Sequence, residues 1–320
     1  MKPPPLTTMI LKRIGLGVVT LFIVSAVVFF AVYLLPGDLA EELLGQARTP
    51  ETVANIRAEL GLDRPPTERY GVWIKGVLRG DLGNSLANGR PISEIAAPRL
   101  YNTVMLAVLA AMVCMPFSLG LGIVAALYRN RPIDRGINVA ALTAISLPEF
   151  FVAYILILFL TVKTGWLPSL ATVGPDTPFG ERLEKSILPI LTLTLAVSAH
   201  VMRLTRAAIV NLLASPYIEM ARIKGVRPWR VIVHHALPNA LAPIVNVVVL
   251  NLAYLIVGVV VVEVVFTYPG LGQLMVDAVS KRDVPVVQAT CLIFAATYIV
   301  LNLVADILTI VCDPRQLHPR

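Results

Sequence analysis

Five stretches of the chain are apolar over enough residues to cross a bilayer, 14–35, 103–128, 137–161, 240–266 and 286–311, and 187–201 is a shorter sixth. The first is 22 residues long and follows Lys12 and Arg13. A basic flank before an apolar run also suits a signal peptide. This run is too long for one, and AVYLLPGD offers no small-x-small cleavage site, so the pattern predicts an uncleaved span. The run 187–201 is short for a span and gains length if Arg203 and Arg206 extend their charged heads to the interface.

Residues 37–98 differ in kind: polar, mixed in sign and punctuated by PGD, RPP, GDLG and NGRP. Segment 50–60 opens on Pro50 and stops before Gly61, as a short helix does. Tyr70, Trp73, Ile74, Val77 and Leu78 recur at helical spacing, which predicts a second, amphipathic helix. Two readings stay open for it: a helix against the outer membrane face, or part of a small soluble loop domain. The chain thus divides into an N-terminal segment and first span (1–36), an outer loop region (37–98) and a five-span core (99–320) that contains a cytoplasmic loop at 203–238.

Composition agrees with the pattern. Of 320 residues 57% are hydrophobic and only 15% charged, with mean hydropathy +0.76, whereas a soluble domain carries roughly a quarter charged residues. Cys114, Cys291 and Cys312 all fall in apolar runs, where they read as small hydrophobes rather than a disulfide framework or metal set. The net charge of +7 is unevenly placed. One side holds Lys2, Lys12, Arg13, Arg129, Arg131, Arg135, Arg203, Arg206, Arg222, Lys224, Arg227, Arg230, Arg315 and Arg320 against Asp134, Glu219 and Asp313; on the other side the charges nearly cancel. That is the positive-inside pattern. It puts both termini in the cytoplasm and removes the need for a nucleic-acid partner.

Within the basic loop, residues 217–238 read YIEMARIKGVRPWRVIVHHALP. Tyr217, Met220, Ala221, Ile223 and Lys224 follow Pro216, suited to a first helical turn. Gly225 is able to end that helix in the left-handed conformation. Pro228 opens a second short helix with Trp229, Ile232 and Val233 on its apolar face, Pro238 ends it, and Ala240 starts the next span. Ala221 and Gly225, four apart, leave room for a partner to approach closely. The bland alternative is a solvated basic linker, but a linker does not need Gly and Pro at helix boundaries.

Glu219-Met220-Ala221, then Gly225, then His235-Ala236-Leu237-Pro238 resembles the EAA loop of binding-protein-dependent ABC importer permeases, with Met220 standing where the motif has Ala. The resemblance extends through Leu35-Pro36-Gly37-Asp38, Leu60-Gly61-Leu62-Asp63, Gly80-Asp81-Leu82-Gly83-Asn84-Ser85, Glu263-Val264-Val265-Phe266, Pro269-Gly270-Leu271-Gly272, Arg282-Asp283 and Asp313-Pro314-Arg315. These look like the dipeptide/oligopeptide/nickel branch, in its B-type subunit. The resemblance implies an all-α integral membrane protein of six transmembrane helices, in the type I ABC importer permease architecture with a long first outer loop. It implies a bacterial cytoplasmic (inner) membrane location and a non-catalytic role, with no cofactor in this chain. ATP and Mg would be held by partner subunits, and the chain indeed carries no G-x-x-x-x-G-K-[ST] loop. The implied partners are a second permease subunit in a heterodimer, two cytoplasmic ATPases and an extracytoplasmic solute-binding protein. In such permeases the loop is a coupling helix seated in an ATPase cleft. That role falls here on Tyr217, Glu219, Met220, Ala221, Arg222, Lys224, Gly225, His235, Leu237 and Pro238. Branch membership points to di- or oligopeptide cargo, with nickel, opines or oligosaccharides as alternatives.

The remaining candidates are polar groups at membrane depth. Glu263, with Phe266, Pro269 and Gly270 after it, reads either as an outer gate or cavity residue or as an interfacial carboxylate in headgroup water. Asp306 shares a helix face with Asn302 and suits either a cavity or an interhelical bond. His200 reads as a packing histidine. His234 and His235 diverge on a helix and lack a third ligand, so no metal is expected. An ion-driven secondary transporter is the rival class, and would show mid-membrane helices broken at residues such as Pro116, Pro148 or Pro189.

Overall fold

The computed structural model describes residues 6–33, 49–59 and 61–312. The motifs Leu35-Pro36-Gly37-Asp38 and Asp313-Pro314-Arg315, residue Leu60 and both termini lie outside the described residues, as do the side chains of Arg222 and His235.

The described chain is helical throughout. In order come α1 (Leu6–Tyr33), α2 (Pro50–Glu59), α3 (Pro66–Leu78), α4 (Ile92–Leu127), α5 (Pro132–Ser146) and α6 (Glu149–Leu156), the last continued by a π-helical stretch Ile157–Lys163. They are followed by α7 (Phe179–Leu212), α8 (Pro216–Ile223), a helical turn Pro228–Arg230, a π-helical stretch Val231–Ala236, α9 (Leu237–Val265), α10 (Leu271–Ser280) and α11 (Val284–Cys312). Four of them, α1, α4, α7 and α11, contain windows long and apolar enough to cross a membrane, and α5 with α6 passes the same test as a bent pair, a fifth crossing when the pair is counted as one span. The apolar run 240–266 forms α9, whose 29 residues measure about 43 Å at 1.5 Å per residue.

The structure corrects two of the expected spans. The run 137–161 is not one straight helix: α5 and α6 meet at 106° across Leu147 and Pro148. Proline disfavours the α conformation of the residue before it, and Leu147 duly sits in extended backbone. Pro116 and Pro189, by contrast, lie inside unbroken helices. The run 187–201 is not short either. It is the middle of a 34-residue helix that starts in the polar stretch at Phe179. Helix α4 likewise begins at Ile92, so the compositional boundary at 98/99 falls inside it.

The core is a layer of small and aliphatic side chains from α4, α6, α7 and α9, among them Ala110, Cys114, Ala153, Leu193, Val197 and Val259. Close approach is visible at Gly122, where an added Cβ would lie 2.8 Å from Thr205 Cβ and 2.9 Å from the Met202 carbonyl oxygen. Without a hydrophobic force between helices in lipid, such small contact residues set how near they pack. Leu11, Leu16, Val18 and Phe22 of α1 stay exposed, as lipid-facing residues do.

Helix α3 belongs with the first span. The Tyr70 hydroxyl meets Ser25 Oγ at 2.8 Å, its ring lies 5.4 Å from Phe29 and 6.1 Å from Phe22, and Trp73 lies 5.7 Å from Phe29. Ser25 is eight residues, about 12 Å, inside the end of α1. The amphipathic helix therefore lies along the C-terminal part of the first span.

Candidate functional site

The basic loop folds as a compact module at one end of the bundle. Ile218 is fully buried against Ile209, Leu213, Val231, Ala236, Ala240 and Ile244, and this cluster also takes in Ala126 at the end of α4. Helix α8 is thus fixed by its inner face to the ends of α4, α7 and α9. Its other face is open: Tyr217, Met220 and Ile223 are exposed, the last at 73%. The Val226 amide donates to the Ala221 carbonyl at 3.2 Å across Gly225, whose φ is +75°. Residue 225 is therefore the left-handed C-terminal residue of a Schellman closure, and nothing lies within 4 Å of a Cβ there.

Two expectations about this loop change. Ala221 packs on the buried cluster, so its small size lets α8 lie close on its own membrane part, while Gly225 remains at the surface. Pro238 does not end a helix. It occupies the first turn of α9, reached without a break through the π-helical stretch Val231–Ala236. Proline lacks the N–H that an α-helical turn would use, and a π-type turn re-registers the ladder around it. Leu237 packs on the cluster. Glu219 and Lys224 are exposed. Beside them Trp229 stands edge-on to His234 at 5.8 Å, with the Arg230 guanidinium 5.5 Å over its ring.

A pair missed by the sequence reading braces this module. Arg206, near the end of α7 that leads into the basic loop, donates through Nε and Nη2 to the two Asp134 carboxylate oxygens, both at 2.7 Å. Asp134 also accepts from the Asn130 amide and from Asn138 Nδ2. Arg206 is therefore not extended to the interface to lengthen a short span; it ties α7 to the first turn of α5.

At the opposite end, Glu263 is fully buried rather than in headgroup water. Its carboxylate accepts from Thr103 Oγ1 at 2.6 Å and from the Gly272 and Gln273 amides at 2.7 and 3.1 Å. Thr103 Oγ1 in turn accepts from the Leu271 amide at 2.8 Å. Three unpaired N–H groups at the start of α10 are thus satisfied by one carboxylate and one hydroxyl, in the position where a negative charge also favours the helix dipole. Two glycines make the room. A Cβ on Gly270 would sit 2.0 Å from Glu263 Oε1, and one on Gly272 would sit 2.7 Å from Val260 Cα. Phe266 and Tyr268 are fully buried beside it, and Asn102 Nδ2 donates to the Pro269 carbonyl at 2.9 Å. Arg182 bridges Asn102 Oδ1 and the Gly174 carbonyl at 2.7 and 2.8 Å. Burial pushes the Tyr268 phenol up to about 12, so it stays a neutral donor, here to the Asn102 carbonyl. Asp306 is not in this group: it pairs with Arg13 of α1 at 3.1 Å.

Two of the sequence motifs meet on the same outer end. Asp283 is buried and accepts from Ser85 Oγ at 2.5 Å and from the Leu86 and Ala87 amides. This clamps the loop before α4 to the turn between α10 and α11. Next to it opens a cleft of about 230 Å³ lined by Arg90, Arg99, Asp277 and Lys281.

Comparison with known proteins agrees with this arrangement. Residues 118–318 match the family described as binding-protein-dependent transport system inner membrane component, and residues 6–107 match the N-terminal component of such systems. The glutathione transport system permease protein GsiC of Salmonella choleraesuis (strain SC-B67) is 40% identical over 306 residues, 95% of this chain and 97% of the relative. The GsiC protein of Escherichia coli (strain K12) is equally similar over the same extent. Among solved structures, a chain of the inward-facing MetNI methionine ABC transporter superposes with a TM-score of 0.55 at 17% identity, covering 68% of this chain and 96% of that one.

Proposed function

Since the chain belongs to the family of binding-protein-dependent transport system inner membrane components, we propose that it is the permease half of an ATP-driven importer of small peptides, driven through α8. As a permease subunit of an ABC importer it is not itself an enzyme. The observation that carries the coupling reading is the two-sided build of α8. Its inner face is locked by Ile218 into the bundle, while Tyr217, Met220 and Ile223 are exposed on the other. A force applied to that exposed face is passed to α4, α7 and α9 together.

In this reading two cytoplasmic ATPases hold the nucleotide and Mg and engage α8, with Glu219, Arg222 and Lys224 as polar contacts. A second permease subunit completes the pathway. An extracytoplasmic receptor docks on the outer end, where the clamp at Asp283 fixes the loop it meets. Both termini are cytoplasmic, on the side of Arg129, Arg131 and Arg203. Peptide cargo is supported by relatives named for transport of glutathione, itself a tripeptide.

Substitution Gly225→Asp tests the coupling. It needs a left-handed conformation that a carboxylate-bearing residue adopts less readily, and it adds a charge at the exposed end of α8. Expected are normal membrane insertion, loss of ATPase co-purification or at least a tenfold loss of uptake. Full ATPase association together with full uptake would overturn the docking role.

A further inference from the structure

A carboxylate stands at the bend between α5 and α6 with no partner among the described residues. Glu149 opens α6 directly after the break at Leu147 and Pro148. Fourteen positions of helix separate it from Lys163 and seventeen from Pro132, so it sits where the two helices of the bent pair meet rather than at either far end. Among the described residues no hydrogen bond or ion pair reaches its side chain. The basic groups on the elements around it are otherwise engaged or distant. Arg206 is committed to Asp134, and Lys163 lies over the Phe159 ring at 5.0 Å. Arg203 is exposed on α7.

Its position is held open from the other side. A Cβ added at Gly258 of α9 would lie 3.2 and 3.3 Å from the two Glu149 oxygens. Glycine at 258 therefore lets the carboxylate rest on the α9 backbone, about 10 Å inside the end of that helix at Val265. Glu149 keeps part of its surface open to a visitor. An ionised residue inside a span costs enough that it marks a pathway or a paired partner. Glu263, Asp134 and Asp306 all have their donors in this chain; Glu149 has none among the described residues.

We infer that Glu149, seated against Gly258 at the break of the bent crossing, is a cargo subsite that takes the protonated amine of a peptide in transit. The inference rests on the peptide-importer reading above. A cationic amine satisfies the carboxylate that the protein leaves unpaired, and the broken backbone beside it is where the two halves of the crossing change direction.

The test uses the complete transporter, with both permeases, ATPases and receptor, in nanodiscs and proteoliposomes. The probes are the short peptide that the cognate receptor binds most tightly and the same peptide N-acetylated. Receptor-free, nucleotide-free transporter is expected to bind the free-amine peptide at least tenfold more weakly in Glu149→Gln, with Glu149→Asp restoring part of the loss. The acetylated peptide should bind both forms equally. ATP-driven uptake should fall in parallel in Glu149→Gln while the subunits remain assembled. Unchanged binding and uptake in Glu149→Gln overturns the subsite while leaving the importer reading intact. Dissociation of the permease pair in Glu149→Gln also overturns it, assigning the carboxylate to a contact with a basic group of the second subunit. A wild-type transporter that takes up no peptide overturns the cargo reading and the subsite with it.

Discussion

Substitution Thr103→Val removes one oxygen from the outer network and leaves the side-chain shape nearly unchanged. That oxygen makes two bonds: it donates to Glu263 Oε1 at 2.6 Å and accepts from the Leu271 amide at 2.8 Å. Both groups lie where water cannot replace it, since Thr103 is 1% and Glu263 0% exposed. Leaving the Leu271 N–H unsatisfied costs about 1–3 kcal/mol, and the bond to a charged acceptor is worth about 1.5–3 kcal/mol. Glu263 retains its two amide donors, so the expected net loss is about 3 kcal/mol rather than the full desolvation of a carboxylate. For a domain of this size one kcal/mol corresponds to about 2–4 °C, so the melting midpoint of the detergent-solubilised transporter should fall by about 6–12 °C. Uptake should fall as well, because the start of α10 is no longer held against α4. Thr103→Ser keeps the hydroxyl and should retain most of the midpoint. A Thr103→Val midpoint within 2 °C of wild type, with uptake intact, would refute the claim that this hydroxyl joins α4 to α10.

Further outcomes follow from the same geometry. Gly270→Ala places a methyl group 2.0 Å from a buried carboxylate oxygen, so expression of folded protein should drop sharply, measured by size exclusion of a fluorescent fusion; Gly136→Ala, where a Cβ meets nothing within 4 Å, is the matched control. Asp134→Asn and Arg206→Gln should each cost about 1.5–3 kcal/mol of stability, as loss of a charge-assisted pair does. The double variant should cost clearly less than the sum, read from melting midpoints in a double-mutant cycle. Asp283→Ala should free the loop carrying Ser85, seen as faster proteolysis in 83–91 with ATPase docking unaffected.

What the sequence made legible depended on whether a feature was written locally. Apolar runs of 22 or more residues declare spans because hydrocarbon thickness sets their length, and Gly225 announces a helix end because few other residues tolerate φ of +75°. The interior of a span is less readable. The run 137–161 is uniformly apolar, so nothing in its hydropathy separates a straight helix from a 106° bend; only Pro148 carried the signal, and Pro116 and Pro189 carry the same one without breaking their helices. Partnerships across the bundle were hidden for a different reason. Arg206 and Asp134 are 72 residues apart and Ser85 and Asp283 are 198 apart. A charge at a loop reads as solvated or interfacial until the fold brings its counter-charge beside it. The sequence leaves Glu263 open between a cavity and headgroup water for that reason, since its donors come from α4 and from the start of α10.

The two polar ends are connected by one rigid element. Helix α7 carries Arg182, bonded to Asn102 and Gly174 at the outer end, and Arg206, bonded to Asp134 at the inner end. The 24 residues between them span about 36 Å of unbroken helix. Helix α8 is packed against the foot of α7 through Ile218, Ile209 and Leu213. A displacement delivered to α8 therefore reaches α7 without crossing a flexible linker, and α7 brings both of its hydrogen-bonded ends along. The partners respond differently. Helix α4 is long, continuous and bonded to α7 at the outer end, so it follows as a body. The crossing of α5 and α6 is held to α7 only through Asp134 and apolar contacts, and is already bent at Leu147 and Pro148. Rigid-body alternation needs a place where the chain changes angle while packed helices keep their neighbours. In this bundle that place is the bend beside Glu149 and Gly258, so the joint that would flex and the carboxylate that would meet cargo are the same few residues.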